Sequence, residues 1–192
     1  MNYLNKFTQL SESAANSLYD LVKDMINKNT TNILEVGTYA GQATVKLCGA
    51  ANEKSQSVNV ISIDDNNDTF SPSAEESLRA SNFRNYSVQF GDLDKKFEEN
   101  IVKANIIYID RFHEEIDAKI EVIKKNIIVP TKVIFRNPKN SSDFPFDISE
   151  YSPEVKPRAR KKSVAETQSV SATTSTTAST KVTTKENKKE TT

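Results

Sequence analysis

The chain has 192 residues, 36% hydrophobic and 27% charged, which suits one domain of ordinary size plus some unpacked chain. Its apolar runs, such as Ile106 to Ile109, are too short to span a bilayer. The lone Cys48 excludes an internal disulfide and a cysteine-based zinc site.

In chain order, the start MNYLNKFTQL lacks the basic-then-apolar pattern of a secretory signal, so a cytoplasmic setting is expected. Ala14, Leu18, Leu21, Val22, Met25 and Ile26 share one helical face and predict an opening amphipathic helix. NILEV follows as a short buried strand, then a helix from about Gly41 to Glu53. VNVISID is a second strand, and Ser71-Pro72 starts a helix that runs to about Ala80. YSVQF and ANIIYID are the third and fourth strands. A helix from Glu114 to Lys125 precedes TKVIF, the fifth. Strand–helix alternation of this kind predicts a doubly wound, Rossmann-like α/β domain over residues 1 to 148, with a parallel sheet and no internal repeat. Phe144, Phe146 and Ile148 suffice for an apolar patch but not for two further strands, so the sheet is expected to end at five.

The remainder, 149 to 192, is a Ser/Thr/Lys-rich tail expected to be disordered, because it cannot bury enough apolar surface to offset its ordering entropy. From Tyr151 onward there are nine Lys/Arg and four Asp/Glu, which leaves 17 positive and 22 negative residues in the first 150. A mildly acidic body thus carries a basic tail. The cluster KPRARKK, 156 to 162, is a solubilising linker or the one contact offered to nucleic acid. No aromatic residue interleaves it, so base stacking has no support there. No membrane contact is expected.

Two of the four glycines lie in ILEVGTYAGQAT. Gly37 permits a sharp turn and close approach of a ligand, and Gly41 opens a helix whose free N–H groups face the same space. Glu35 stands just before the turn. Asp64 ends the second strand, where a carboxylate can accept hydrogen bonds from ribose hydroxyls. Asp92 follows the third strand and Asp110 ends the fourth. Four acidic groups at the carboxyl edge would share one crevice. Asp92 reads equally as a helix N-cap, and Tyr39 as packing beneath the loop. Asp65 and Asp68 read as solvated loop residues, and Lys95 and Lys96 as solvated helix charges. A nicotinamide site would need G-x-G-x-x-G, but position 39 is Tyr39 and no third glycine falls in register.

Residues about 11 to 137 resemble class I S-adenosylmethionine-dependent methyltransferases, closest to the small-molecule O-methyltransferase branch. EVGTYAGQAT is similar to that branch's first motif, with Ala43 in place of a hydroxyl residue. The resemblance implies that Glu35, Gly37, Thr38, Tyr39 and Gly41 bind the methionine part of S-adenosylmethionine, that Asp64 holds the ribose and that Asp92 meets the adenine. ANIIYIDRFHEE is similar to the family's segment after strand four, which makes Asp110 and His113 the catalytic candidates. His113 is the only histidine and reads as a general base or as a surface or capping residue.

Metal-dependent members carry an Asp after strand four and an Asp-Asn pair after strand five. Here Asp110 and Asn137 match, but Arg136 replaces the second Asp, so no metal is expected. Arg111, Arg136 and His113 could grip an anionic substrate, or the arginines are ordinary surface charges. Base methylation of DNA is disfavoured: IDRF stands where N-P-P-[YF] would be, and no Pro-Cys nucleophile is present. The expected function is methyl transfer from S-adenosylmethionine to a small molecule. The alternative is a methyltransferase-like binding or interaction protein that has lost the reaction.

Overall fold

The computed structural model describes residues 10–65, 70–80, 83–110, 115–137 and 139–154. The chain divides into two units, Met1–Lys156 and Pro157–Thr192, and every described residue belongs to the first. Of the tail expected from 149, residues 149–154 are described and 149–151 are strand rather than unstructured chain; the rest of it, and Asp68, Arg111 and His113, fall outside the described residues.

The elements run α1 (Glu12–Met25), β1 (Asn32–Val36), α2 (Gln42–Lys54), β2 (Asn59–Asp64), α3 (Pro72–Ala80), β3 (Tyr86–Phe90), α4 (Leu93–Ile101), β4 (Ile106–Ile109), α5 (Ile116–Asn126), β5 (Thr131–Arg136) and β6 (Phe146–Tyr151). One sheet of order β3-β2-β1-β4-β5-β6 holds all the strands. The first five are parallel, in the doubly wound order 3-2-1-4-5. Helices that follow parallel strands must return the chain to the starting edge, so these five strands all end at the same edge.

Alternation of side chains sorts the core into two layers. Ile33, Val60, Ile106, Tyr108 and Ile134 pack with Leu18, Val22 and Leu47 of α1 and α2. Leu34, Val36, Ile63, Ile107 and Val133 pack on the other face with Phe97 and Ile101 of α4 and Ile123 of α5. Both faces of β4 are covered, which is why Ile106 to Ile109 is uniformly apolar and buried.

The sheet does not stop at five strands. β6 pairs antiparallel with β5, from Arg136 opposite Phe146 to Thr131 opposite Tyr151. The connection is a tight corner. Asn137 N–H donates to the Pro145 carbonyl at 2.8 Å, and the amides of Asn137 and Asn140 donate to the Asp147 carboxylate at 2.7 and 2.9 Å. Phe146 then buries its ring edge-on to Tyr108, centroids 6.0 Å apart. The expectation of five strands failed because a hairpin strand needs only one buried face. Phe146 supplies it, and Ile148 remains 45% exposed.

Candidate functional site

The carboxyl edge of the sheet is stitched together by main-chain bonds. Gly37 N–H donates to Ile63, Gly91 N–H to Asp64 and Asp110 N–H to Val36, each at 2.9 Å. These bonds hold the four turns that follow β1 to β4 side by side.

The turn after β1 has three left-handed residues in five: Gly37 at φ 96°, Tyr39 at φ 42° and Gly41 at φ 83°. For tyrosine this is a strained conformation. It is held by Asp64, whose Oδ2 accepts the Tyr39 N–H at 2.8 Å while Oδ1 accepts the Asp65 N–H at 2.8 Å. Tyr39 leaves its side chain 41% exposed, so it does not pack beneath the loop. Gly41 is placed for packing as well as for its turn. A Cβ there would lie 2.6 Å from Phe70 Cε2 and 2.7 Å from Ala74 Cβ, so the missing side chain lets α3 close on α2.

Beneath the turn lies a buried polar cluster. Glu35 is completely enclosed. Its Oε2 accepts from the Ser62 hydroxyl at 2.5 Å and the Thr44 hydroxyl at 2.6 Å. Thr38, itself buried, lies with its hydroxyl 2.5 Å from that of Ser62. Glu35 Oε1 has no hydrogen-bond partner among the described residues, and neither does Gln42 Oε1 in the first turn of α2. Burial raises the Glu35 carboxyl to about 8. Asp110 and Asp64 push it the same way, and the two hydroxyl donors pull it down. An enclosed carboxyl with one idle oxygen is suited to a cationic ligand group, which would restore its charge.

Asp110 sits beyond β4 and pairs with Arg136 at the end of β5, Nη1 to Oδ1 3.2 Å, both side chains about one-sixth exposed. Tyr108 lies buried beneath them. Burial and then Asp110 push its phenol well above the ordinary value, so it stays protonated. Asn137 is used elsewhere: its amide serves Asp147, and its Oδ1 accepts the Lys139 N–H at 3.0 Å. Among the described residues no group of His, Cys, Asp and Glu is arranged to hold a metal.

The structure therefore brings Glu35, Thr38, Asp64 and Asp110 together around the turn. Asp92 is exposed and caps α4, its Oδ1 accepting the Lys95 N–H at 3.1 Å. Sequence reasoning missed Ser62, Thr44 and Gln42. The one available signal was Ser62, a hydroxyl residue inside the otherwise apolar VISI.

No protein-family model matches the chain, and no curated protein sequence does. Solved structures do. The O-methyltransferase from Streptomyces achromogenes involved in tomaymycin synthesis, in complex with S-adenosylmethionine, matches with TM-score 0.55 and 15% identity over 70% of this chain and 64% of that one. The O-methyltransferase from Bacillus cereus, in complex with S-adenosylhomocysteine, matches with TM-score 0.55 and 19% identity over 70% and 65%. The RNA methyltransferase from Salinibacter ruber, also with S-adenosylhomocysteine, gives 0.55 and 15% over 79% of this chain and 97% of that one. The chain spans less than two thirds of the length of these two O-methyltransferases. At such identities the likeness is one of fold: this chain folds as S-adenosylmethionine-dependent methyltransferases do.

Proposed function

We propose that this protein binds S-adenosylmethionine at the carboxyl edge of its sheet and transfers the methyl group to a small molecule. The observation that carries this reading is Glu35: a fully buried carboxyl, one oxygen unpartnered, two residues before a turn of three left-handed residues. The residues present fit the cofactor. Glu35 would face the cationic methionine portion, together with the turn from Gly37 through Thr38 and Tyr39 to Gly41. Asp64 would accept the ribose hydroxyls and Asp92 would stand at the adenine. When bound, the cofactor supplies an activated methyl group for in-line displacement by an oxygen or nitrogen.

The protein's share is placement, which can contribute much of the rate. Arg136 pairs with Asp110 at the acceptor end, where the carboxylate can take a hydrogen bond from the acceptor. His113 would take a proton where the acceptor must lose one. The Arg136 guanidinium favours an acceptor bearing a carboxylate or phosphate. A second reading makes RNA the acceptor. It is favoured by the match that spans 97% of an RNA methyltransferase.

Calorimetric titration with S-adenosylmethionine and S-adenosylhomocysteine tests the site. Binding should occur in the wild type and be lost in Asp64→Ala. No binding by folded wild-type protein would refute the reading. Formation of S-adenosylhomocysteine with small acids, or with RNA, then separates the two acceptors. Binding without turnover on either would leave an interaction protein.

A further inference from the structure

The amino edge of the sheet, opposite this crevice, carries a regular feature of its own. Asn32 stands opposite Asn59 in the register of β1 and β2. Asn85 and Asn105 each come one residue before the pairs Tyr86–Val60 and Ile106–Ile33. Four asparagines thus form one row, Asn85-Asn59-Asn32-Asn105, roughly 15 Å long at the usual strand spacing. Part of the row is structural. Asn105 Oδ1 accepts the N–H groups of Thr31 and Asn32 at 2.8 and 3.2 Å. Asn59 Nδ2 donates to Asn32 Oδ1 at 3.4 Å, and Asn85 Nδ2 donates to the Gln56 carbonyl. Among the described residues no donor reaches Asn59 Oδ1 or Asn85 Oδ1.

Beside these two acceptors is a cavity of about 300 Å³, lined by Asn32, Asn59, Ile61, Arg84, Asn85 and Ser87. The loops that lead into the five parallel strands, 26–31, 55–58, 83–85, 102–105 and 127–130, contain Lys28, Arg84 and Lys103 and no acidic residue. Lys132 follows at the start of β5. None of these four cations has an ion-pair partner among the described residues. Lys54 and Lys125 lie in last helical turns, where the helix dipole accounts for them. Of the acids, Glu150 stands opposite Lys132 in the β5–β6 register without an ion pair between them among the described residues, Asp24 lies in the last turn of α1, and Lys23 holds Glu53 at 2.5 Å. The carboxyl edge, by contrast, carries the carboxylates Asp64 and Asp110, with Arg136 paired to the second.

We propose that the amino edge of the sheet is a docking surface for single-stranded nucleic acid. Arg84, Lys103 and Lys132 meet phosphates, and the notch between Asn59 and Asn85 takes one base. Cations spaced along a row of neutral amides suit a chain of phosphates that carries hydrogen-bonding bases. Among the described residues the edge exposes one large apolar side chain, Ile128, which gives a bilayer little to hold. The proposal does not rest on methyl transfer and stands whichever acceptor is right.

The test is fluorescence anisotropy of a labelled single-stranded oligoribonucleotide with the full chain over a range of salt. Wild type should bind with Kd on the order of 10 μM near physiological salt. The triple variant Arg84→Gln, Lys103→Gln, Lys132→Gln should lower the slope of log K against log salt by about 2, at about 0.7 for each phosphate no longer neutralised. Ser87→Asp, an exposed position in the notch, should weaken binding with the fold intact. A variant with Lys156, Arg158, Arg160, Lys161 and Lys162 all changed to Gln removes the tail's contribution and should keep the rest of the slope. The proposal is overturned by no binding in the wild type, by an unchanged slope in the triple variant, or by complete loss in the tail variant. Unchanged binding by Ser87→Asp overturns the base notch. Anionic vesicles bound as tightly as the oligonucleotide would assign the edge to lipid instead.

Discussion

Replacing Glu35 by glutamine should make the protein more stable at neutral and alkaline pH. The carboxyl is raised from 4.5 to about 8, chiefly by burial, so folding favours its protonated form. The associated stability is fully present below about pH 4.5 and is lost as pH rises through about 8. A rise from 4.5 to about 8 corresponds to a limit of about 5 kcal/mol, at about 1.4 kcal/mol for each tenfold change in proton affinity. At pH 7 about 3 kcal/mol of that is already lost, a large part of the 5–15 kcal/mol that holds a typical domain together. Glutamine keeps the acceptor that Ser62 and Thr44 need and mimics the protonated carboxyl without titrating. Urea unfolding at about pH 5, 7 and 9 should show the wild type losing about 4 kcal/mol relative to Glu35→Gln across the series. Other groups titrate alike in both proteins, so the difference isolates Glu35. Parallel stability profiles would refute the claim that the carboxyl is neutral inside the fold.

Three further outcomes follow from the same geometry. If S-adenosylmethionine places its cationic end at Glu35, binding near pH 7 should release close to one proton, seen as a dependence of the calorimetric enthalpy on buffer ionisation heat. That release should vanish in Glu35→Gln. Gly41→Ala should destabilise the domain by about 2–4 kcal/mol, since its Cβ meets Ala74 Cβ at 2.7 Å and the residue holds φ 83°; thermal unfolding unchanged from wild type would show that α3 can move aside at no cost. Phe146→Ala should lose about 3 kcal/mol in denaturant unfolding and raise hydrogen exchange along β5 and β6, because its buried ring fastens the sixth strand to Tyr108.

The sequence by itself determined most of the α/β frame. The all-apolar run Ile106 to Ile109 marked a strand covered on both faces, and the 3.6-residue spacing from Ala14 to Ile26 marked an amphipathic helix. Ser71-Pro72 marked a helix start, and the two close glycines marked the turn. Each of these signals is local: periodicity, a cap and backbone freedom act within a few residues. What depends on residues far apart was decided by the tertiary structure. Ser62 and Thr44 became partners of Glu35 only when β2 and α2 came to lie against β1. Arg136 met Asp110 across the ends of two strands 26 positions apart. β6 was hidden because its stability comes from pairing with β5 and from one buried phenylalanine rather than from its own pattern. The asparagine before or at the start of each of four strands is plain in the letters, yet only strand register turns four separate residues into a row.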